Sequence, residues 1–167
     1  TKKRRRSVHL HVMVTPEEQA LIADRMTEAG ISNMGAYIAS RLSELGNNVT
    51  IIDKNKNSFR ILDESYTGFK LEGNGMDRDF LVKNHVDQAD IVLVATEDDN
   101  TNSCIAQIVK VIYNVPIVIT RIYDIDKTIV LEGTGVRIIY PSILVSNEFF
   151  TLVKEEEDKK IKESKTK

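Results

Sequence analysis

Cysteine and long apolar runs are both scarce in this sequence of 167 residues. The single cysteine, Cys104, cannot form a disulfide within the chain, and it lies in an apolar helical pattern. We therefore expect it to be a small core residue in a reducing compartment. No apolar run approaches the roughly 18 residues that a transmembrane helix needs. The composition predicts a soluble, cytoplasmic protein without a disulfide framework.

The residue combinations that catalysis and metal binding require are also missing. The three histidines are His9, His11 and His85. They do not form a convincing ligand group, although His9 and His11 share one face of a predicted strand. No Ser-His-Asp set and no paired acid-base carboxylates are assembled. We therefore expect no catalytic residue, no metal site and no enzyme activity.

Positive charge is concentrated at the start of the chain, where residues 2–6 are all Lys or Arg, although the formal net charge is −2. Residues 7–14 then alternate with Val or Leu at every second position, which predicts a half-buried strand. A helix with an N-cap and a first-turn proline should follow at 15–29, and a second helix at 32–45. The apolar positions expected to bury the second helix are Met34, Tyr37, Ile38, Leu42 and Leu45.

This order of a basic tail, a strand and two helices is that of the ribbon-helix-helix fold. In particular, residues 2–38 resemble the start of MobC-type plasmid mobilisation proteins. The resemblance implies that two chains pair their strands into a ribbon in the DNA major groove, so that residues 2–13 contact DNA. Amides near Ser32 and Asn33 would hold a phosphate at a helix N-terminus. A solvated strand with a basic tail is the alternative interpretation.

From residue 35 onward, strands and helices alternate as in a nucleotide-binding Rossmann sheet. The strand at 89–96 is apolar enough to be central and buried on both faces. A final apolar helix should cover 142–153, followed by a charged tail at 154–167 that is a solvated helix end or a disordered linker. The other predicted strands lie at 48–53, 69–72, 115–121 and 136–141, and the apolar positions expected to pack the helix after residue 97 on the sheet are Ile105, Ile108, Val109 and Ile112.

Polar residues follow the carboxyl ends of these strands, where parallel sheets bind ligands. Asp53 ends the first strand, and a carboxylate there can accept hydrogen bonds from ribose hydroxyls. The turn at 73–77 contains two glycines, which allow backbone to approach a ligand closely. Thr96 and Asn102 follow the central strand where a nucleotide would lie, and Arg121 ends the next strand as a potential phosphate ligand.

These segments, in this order and spacing, resemble a TrkA N-terminal domain, the KTN or RCK module of potassium uptake systems, over about residues 35–147. The residues that carry the resemblance are 41–53, the turn at 73–77, the segment 95–102, Arg121 and the strand at 135–141. The resemblance implies a regulatory domain that binds NAD(H), or ATP and ADP. It also implies a homodimer or larger ring that acts on a membrane potassium translocation subunit, at the inner face of the membrane.

The same resemblance implies a set of ligand contacts. Asn74 departs from the aspartate that is common in the family's turn. A helix cap is the alternative role of Asn102, and an interface ion pair is that of Arg121. Asp77 can also cap the next helix. The implied contacts are Asp53 at the ribose, Asn74 and Asp77 at the adenosine end, and Thr96, Asn102 and Arg121 along the remainder of the nucleotide pocket.

The front of the family pattern is altered in this chain. The family's first strand runs into Gly-x-Gly-x-x-Gly, whose middle glycine lets the pyrophosphate approach the backbone. Here the aligned residues are 30–35, in which Ser32 replaces the middle glycine and Gly35 is the last glycine. We include Ser32 and Gly35 among the candidate ligand contacts. The preceding residues 23–29 predict a helix rather than a strand.

Two arrangements of the front end remain open. In one, residues 7–14 take the place of the missing first strand, which otherwise leaves two apolar strand edges exposed. In the other, they form a separate ribbon. The predicted fold is α/β, a Rossmann-like, mostly parallel three-layer sheet with an altered or replaced first strand. Its predicted parts are a front segment at 1–34, a Rossmann domain at 35–153 and the charged tail at 154–167.

Overall fold

A computed structural model describes residues 34–165 of the chain. The basic arm, the strand predicted at 7–14, the helix predicted at 15–29 and Ser32 lie outside the described residues. The DNA-binding hypothesis depends on those segments, and it therefore stays a prediction. In the described part of the chain, no helix is long and apolar enough to cross a membrane.

Strands and helices alternate along the described chain. Short 3-10 segments lie at Lys56–Ile61, Val86–Gln88 and Ile125–Leu131. The helices are α1 at Met34–Glu44, α2 at Arg78–Lys83, α3 at Asp99–Gln107 and α4 at Pro141–Lys165. The strands are β1 at Thr50–Asp53, β2 at Phe69–Glu72, β3 at Ile91–Val94, β4 at Ile117–Arg121 and β5 at Arg137–Ile139.

All the strand pairs in this part of the chain are parallel. β1 pairs with β2, with Asp53 opposite Glu72. β3, β4 and β5 form a separate three-stranded sheet in that order, with Val94 opposite Thr120. The predicted α/β class with parallel strands is confirmed. Within residues 34–165, no strand joins β1 to β3.

The larger core lies between the three-stranded sheet and α3. Val94 and Val118 of the sheet pack with Ala106 and Val109, which lie on α3 and in the turn that follows it. Ile52 of β1 packs against the same cluster, so both sheets contribute to one core. Buried aliphatic side chains of this kind each stabilise the fold by about 1.5–3 kcal/mol relative to exposure.

A second, smaller core joins α1 to β1, and α1 buries a different face from the one predicted. Leu45 is 64% exposed, and Met34, Ile38 and Leu42 are only half-buried. The small side chains on this face let α1 lie close to the loop that precedes β2. A hydrogen bond joins the two, in which the Ser40 hydroxyl accepts from the Asp63 amide at 3.2 Å. The buried residues of α1 are Ala36, Ala39, Ser40 and Ser43, and the cluster is completed by Leu62 and Tyr66.

Two predictions for α3 are wrong. Cys104 is exposed rather than in the core, because it lies on the side of the helix that faces away from the sheet, between the buried Ser103 and Ile105. Ile112 is 46% exposed, whereas Ile108 is buried as predicted. The helix changes to a π-turn at Ile108–Ile112, in which Ile108 and Val109 are buried and the last two residues, Val111 and Ile112, are exposed.

β3 differs from the strand predicted there, whereas the charged tail agrees with the helix end that was one of its two predicted alternatives. β3 is shorter than the strand predicted at 89–96, and its Leu93 is 41% exposed although both faces were expected to be buried. α4 continues to Lys165, so the charged tail is helical where it is described. Phe149 and Phe150 of α4 are 66% and 67% exposed.

Candidate functional site

Asp53 lies at the carboxyl end of β1, as predicted. Its side chain is half-buried, and Oδ1 accepts a hydrogen bond from the Asn55 amide at 2.7 Å. Its backbone carbonyl accepts from the Gly73 amide at 3.0 Å, which fixes the turn after β2 beside it. The Asn55 contact occupies one carboxylate oxygen and leaves Oδ2 for another donor.

The turn at 73–77 is held by its own side chains. Asn74 Oδ1 accepts from the Met76 amide at 3.0 Å. Asp77 Oδ1 accepts from the amides of Asp79 and Phe80 at 3.0 and 3.1 Å, so the prediction that Asp77 caps the next helix is confirmed. Both Asn74 and Asp77 are exposed. Their proposed contact with an adenosine stays a prediction.

The packing around this turn explains why glycine occupies positions 73 and 75 without any need for a ligand. A Cβ on Gly73 would overlap the ring of Phe80. A Cβ on Gly75 would lie 2.8 Å from Cδ1 of Ile105, the end of a flexible side chain. The aligned glycine nearer the front, Gly35, is half-buried in the first turn of α1.

Hydrogen bonds join Thr96, Asn102 and Arg121 into one cluster at the carboxyl ends of β3 and β4. Asn102 Oδ1 accepts from the Thr96 amide at 2.8 Å and from the Thr96 hydroxyl at 2.7 Å. Asn102 Nδ2 donates to the carbonyls of Thr96 and Arg121 at 3.0 and 2.9 Å. The Arg121 guanidinium also donates to the Thr96 carbonyl, at 2.8 Å.

Asn102 therefore acts inside the protein. Its side chain is fully buried, and both its amide oxygen and its amide nitrogen are engaged by backbone or by Thr96. Its alternative role as a helix cap is wrong, because Asp98 is the N-cap of α3 and accepts from the Thr101 amide at 2.7 Å. Hydrogen bonding from the side chain of Thr101, and then from its backbone amide, holds the pKa of Asp98 below its usual value.

The guanidinium of Arg121 is not fully paired within the described part of the protein. Its guanidinium carbon lies 5.0 Å from the centroid of the Tyr123 ring, a cation–π contact. Its Nε is buried and has no hydrogen-bond partner among the described residues. Within residues 34–162, no carboxylate is within 4.0 Å of its guanidinium. Arg121 thus presents an uncompensated positive charge at the end of β4.

Asp99 and Tyr123 also belong to this cluster, although neither was predicted from the sequence. The Asp99 carboxylate is 7% exposed and accepts from the amides of Tyr123 at 3.1 Å and Asp124 at 2.9 Å. It therefore fixes the loop that places the Tyr123 ring beside Arg121. An acid in the first turn of a helix is a common feature, so the sequence carries no signal that this one reaches a loop 24 residues later.

The structure thus brings the predicted residues together in two groups rather than one. Asp53, Asn74 and Asp77 lie at the ends of β1 and β2, and the Asn102 cluster lies at the ends of β3 and β4. An open cleft along α2 is lined by Asp77 and Tyr113, but by none of the other candidate contacts. Among the described residues, no His, Cys, Asp and Glu side chains are grouped so as to hold a metal ion.

Known proteins resemble this chain over most of its length. A family model described as the TrkA-N domain matches residues 29–141. The Trk system potassium uptake protein TrkA of Streptomyces coelicolor is 30% identical over 107 residues, which are 64% of this chain and 48% of that protein. The TrkA protein of Vibrio alginolyticus is 25% identical over 131 residues, 74% of this chain and 29% of that protein. The chain therefore spans about half the length of these relatives, or less.

Two solved structures share the fold. The TrkA-N domain of the inner membrane protein ybaL from Escherichia coli has a TM-score of 0.64 at 11% identity. The NAD(P)-binding domain of an exopolyphosphatase-related protein from Archaeoglobus fulgidus has a TM-score of 0.60 at 21% identity. Each match covers 72% of this chain and 90% of the other. With the family model matching more than half of its residues, the chain belongs to the TrkA-N domain family.

Proposed function

We propose that this chain is a nucleotide-binding regulatory domain of a potassium uptake system. The observation that carries the proposal is the pair of charges at the carboxyl edges of the two sheets. Asp53 offers a carboxylate oxygen at the end of β1, and Arg121 offers an uncompensated guanidinium at the end of β4. The relatives named as Trk system potassium uptake proteins support the link to potassium transport.

The described residues fit a nucleotide with a ribose and a phosphate. Asp53 Oδ2 would accept a hydrogen bond from a ribose hydroxyl, as carboxylates at this strand end do in dinucleotide-binding sheets. The guanidinium of Arg121, which is half-buried and has no carboxylate partner among the described residues, would pair with a phosphate oxygen. NAD(H) and ATP or ADP all carry these groups. Ser32, the candidate pyrophosphate contact, lies outside the described residues.

Regulation would proceed through a shift between conformations, without a chemical step. A nucleotide that contacts both Asp53 and Arg121 would link the two-stranded sheet to the three-stranded sheet. A ligand favours whichever arrangement it binds more tightly, by the difference in its two affinities. The domain would act by this shift rather than as an enzyme.

The partners would be a second copy of the chain and a membrane potassium translocation subunit. Exposed apolar residues on α4, including Phe149, Phe150 and Val153, would contact the second copy in a homodimer or larger ring. The domain would then work in the cytoplasm at the inner face of the membrane, where a transporter subunit holds it.

A thermal-shift titration against NADH, NAD, ATP and ADP tests the proposal. A nucleotide at 100 times its dissociation constant adds about 2.7 kcal/mol of stability, so one of the four should raise the melting temperature in a saturable way. Asp53→Asn should reduce that rise, whereas Asp90→Asn, an exposed acid before β3, should not. A folded protein that shifts with none of the four nucleotides would refute the proposal.

A further inference from the structure

Arg121 and Tyr123 lie on the same side of the chain where it leaves β4. The residue between them, Ile122, is fully buried, and its amide donates to the carbonyl of Ile139 in β5 at 3.0 Å. Side chains alternate along a strand, so Arg121 and Tyr123 lie on the side opposite Ile122. The guanidinium carbon of Arg121 is consequently 5.0 Å from the centroid of the Tyr123 ring.

A hydrogen bond and a cation–π contact hold the Arg121 guanidinium. Its Nη2 donates to the Thr96 carbonyl at 2.8 Å, and the Tyr123 ring supplies the cation–π contact. An arginine side chain has many rotamers, and fixing one of them at the moment of binding weakens the binding of a ligand. A ring that fixes the guanidinium beforehand therefore strengthens the binding of an anion at this position.

The Tyr123 ring is not held in place by burial. Tyr123 is 48% exposed, and it follows Arg121, the last residue of β4 that is paired with β5, by two positions. The place of such a ring depends on how its own backbone is fixed.

Asp99 fixes the backbone of Tyr123. The Tyr123 amide donates to both carboxylate oxygens of Asp99 at 3.1 Å, and the Asp124 amide donates to Oδ2 at 2.9 Å. Asp99 is 7% exposed and is the first residue of α3, where the helix dipole favours a negative charge. Hydrogen bonds from amides to a carboxylate are stronger than those between neutral groups. Asp99 thus ties residues 123–124 to the start of α3.

These bonds leave the charge of Arg121 available. The Asp99 carboxylate binds two backbone amides, and within residues 34–162 no carboxylate is within 4.0 Å of the Arg121 guanidinium. Asp99 therefore acts on the position of Arg121 without forming an ion pair with it.

We propose that Asp99 is a positioning residue of the nucleotide site, which holds the Tyr123 ring where the ring keeps the Arg121 guanidinium in place for a phosphate. The inference rests on the proposed function, in which Arg121 meets that phosphate. Loss of the Asp99 carboxylate would leave the amides of Tyr123 and Asp124 without their acceptor. The ring would then no longer restrain the guanidinium.

Charge and position predict opposite effects of removing Asp99. Asp99→Ala removes one negative charge from this end of the sheet, and by charge alone that change strengthens the binding of an anion. A guanidinium that is no longer held in place binds the anion more weakly. Weaker nucleotide binding by Asp99→Ala would therefore come from position and not from charge.

Calorimetry with NADH, NAD, ATP and ADP tests the proposal. For each nucleotide that binds the unmodified chain, we expect a dissociation constant about tenfold higher in Asp99→Ala. Asp126→Ala removes an exposed acid from the loop after β4 and is the matched loss of charge, which should not weaken binding. Equal or tighter binding by Asp99→Ala would overturn this inference alone. An unmodified chain that binds none of the four would overturn the proposed function and this inference together.

A second variant tests the same role without disturbing a buried carboxylate. Tyr123→Leu removes the exposed ring but keeps the amide that Asp99 binds, and we expect the same loss of affinity. If Asp99→Ala does not fold, equal affinities of Tyr123→Leu and the unmodified chain would overturn the inference.

A double-mutant cycle separates positioning from general distortion of the site. In an Arg121→Gln background, neither Asp99→Ala nor Tyr123→Leu should weaken binding further, because no guanidinium remains to be positioned. Additive losses in that background would show that Asp99 acts on the site independently of Arg121, and would overturn the inference.

Discussion

Asn102 Nδ2 donates to the backbone carbonyl of Arg121 at 2.9 Å, and this bond fastens the start of α3 to the end of β4. Because the same amide also closes on Thr96, one buried side chain fixes the carboxyl ends of two adjacent strands. The position of the Arg121 guanidinium, which the proposed function requires, therefore depends on a residue that is itself inaccessible.

Replacing Asn102 should destabilise the protein strongly. Asn102→Ala leaves the Thr96 amide and the Arg121 carbonyl without their partners, and we expect a loss of about 2–4 kcal/mol in the free energy of unfolding. Urea denaturation measures the loss. Asn100→Ala, an exposed position on the same helix, is the control and should change the stability little. A loss below about 0.5 kcal/mol for Asn102→Ala would contradict the role of Asn102 in fixing the ends of β3 and β4.

Removal of the Arg121 charge should weaken nucleotide binding, with a smaller change in the free energy of unfolding than in the free energy of binding. Arg121→Gln keeps a polar side chain near Thr96 but loses the positive charge that is proposed to meet a phosphate. We expect at least a tenfold rise in the dissociation constant by calorimetry, with the strongest effect at low salt. Arg137→Gln, on the exposed start of β5, provides the matched loss of one positive charge. Equal affinities in the two variants would exclude Arg121 from the site.

Adding one methyl group at Gly73 should test the packing of the turn. The Cβ of Gly73→Ala would overlap the Phe80 ring, so we expect a loss of about 1–3 kcal/mol by chemical denaturation. Gly75→Ala should cost less, because the Ile105 side chain that it meets can turn aside. If Gly75→Ala proves the more costly of the two, packing against Phe80 is not what requires glycine at 73.

The helix cap at Asp98 should give the stability a pH dependence. Hydrogen bonds from the Thr101 side chain and, to a smaller extent, from its amide lower the pKa of Asp98 in the folded protein. The stabilisation that the Asp98 cap provides is therefore complete above the unfolded pKa of about 3.9. It is lost as the pH falls through the lower, folded value. Asp98→Asn keeps a capping oxygen but does not titrate there.

Denaturation at pH 5, 4 and 3 measures the effect. The unmodified protein should lose more stability over this range than Asp98→Asn does, whereas Asp90→Asn should follow the unmodified protein. Parallel curves for Asp98→Asn and the unmodified protein would mean that the cap does not depend on the charge.

The order of the elements could be predicted because it rests on apolar runs with polar ends. The pattern at 48–53 predicted β1, and the polar run after residue 96 predicted the start of α3. The parallel direction of the strands was also predicted, since strands that alternate with helices form parallel sheets, whereas the particular pairs of strands were not.

Other features depend on contacts that local patterns do not contain. Hydrophobicity predicts that Leu42 and Leu45 lie on the buried face of α1. The helix instead buries Ala39 and Ser40, because it lies close to the loop before β2, where only small side chains fit. The π-turn after α3 turns Ile112 outward without any proline or glycine to mark it. Asn102 is of a residue type that often contacts ligands. Only its burial and its four hydrogen bonds show that it instead holds the ends of β3 and β4 together.

If two copies associate through α4, as proposed, the melting of this protein should depend on its concentration. The helix has 25 residues, its Phe149 and Phe150 are two-thirds exposed, and within the described chain it buries little apolar surface. A helix of that kind draws little stability from the rest of the domain and should fray at lower temperature in dilute samples. In concentrated samples, association through α4 would raise its melting toward that of the sheet, and two thermal transitions would merge into one.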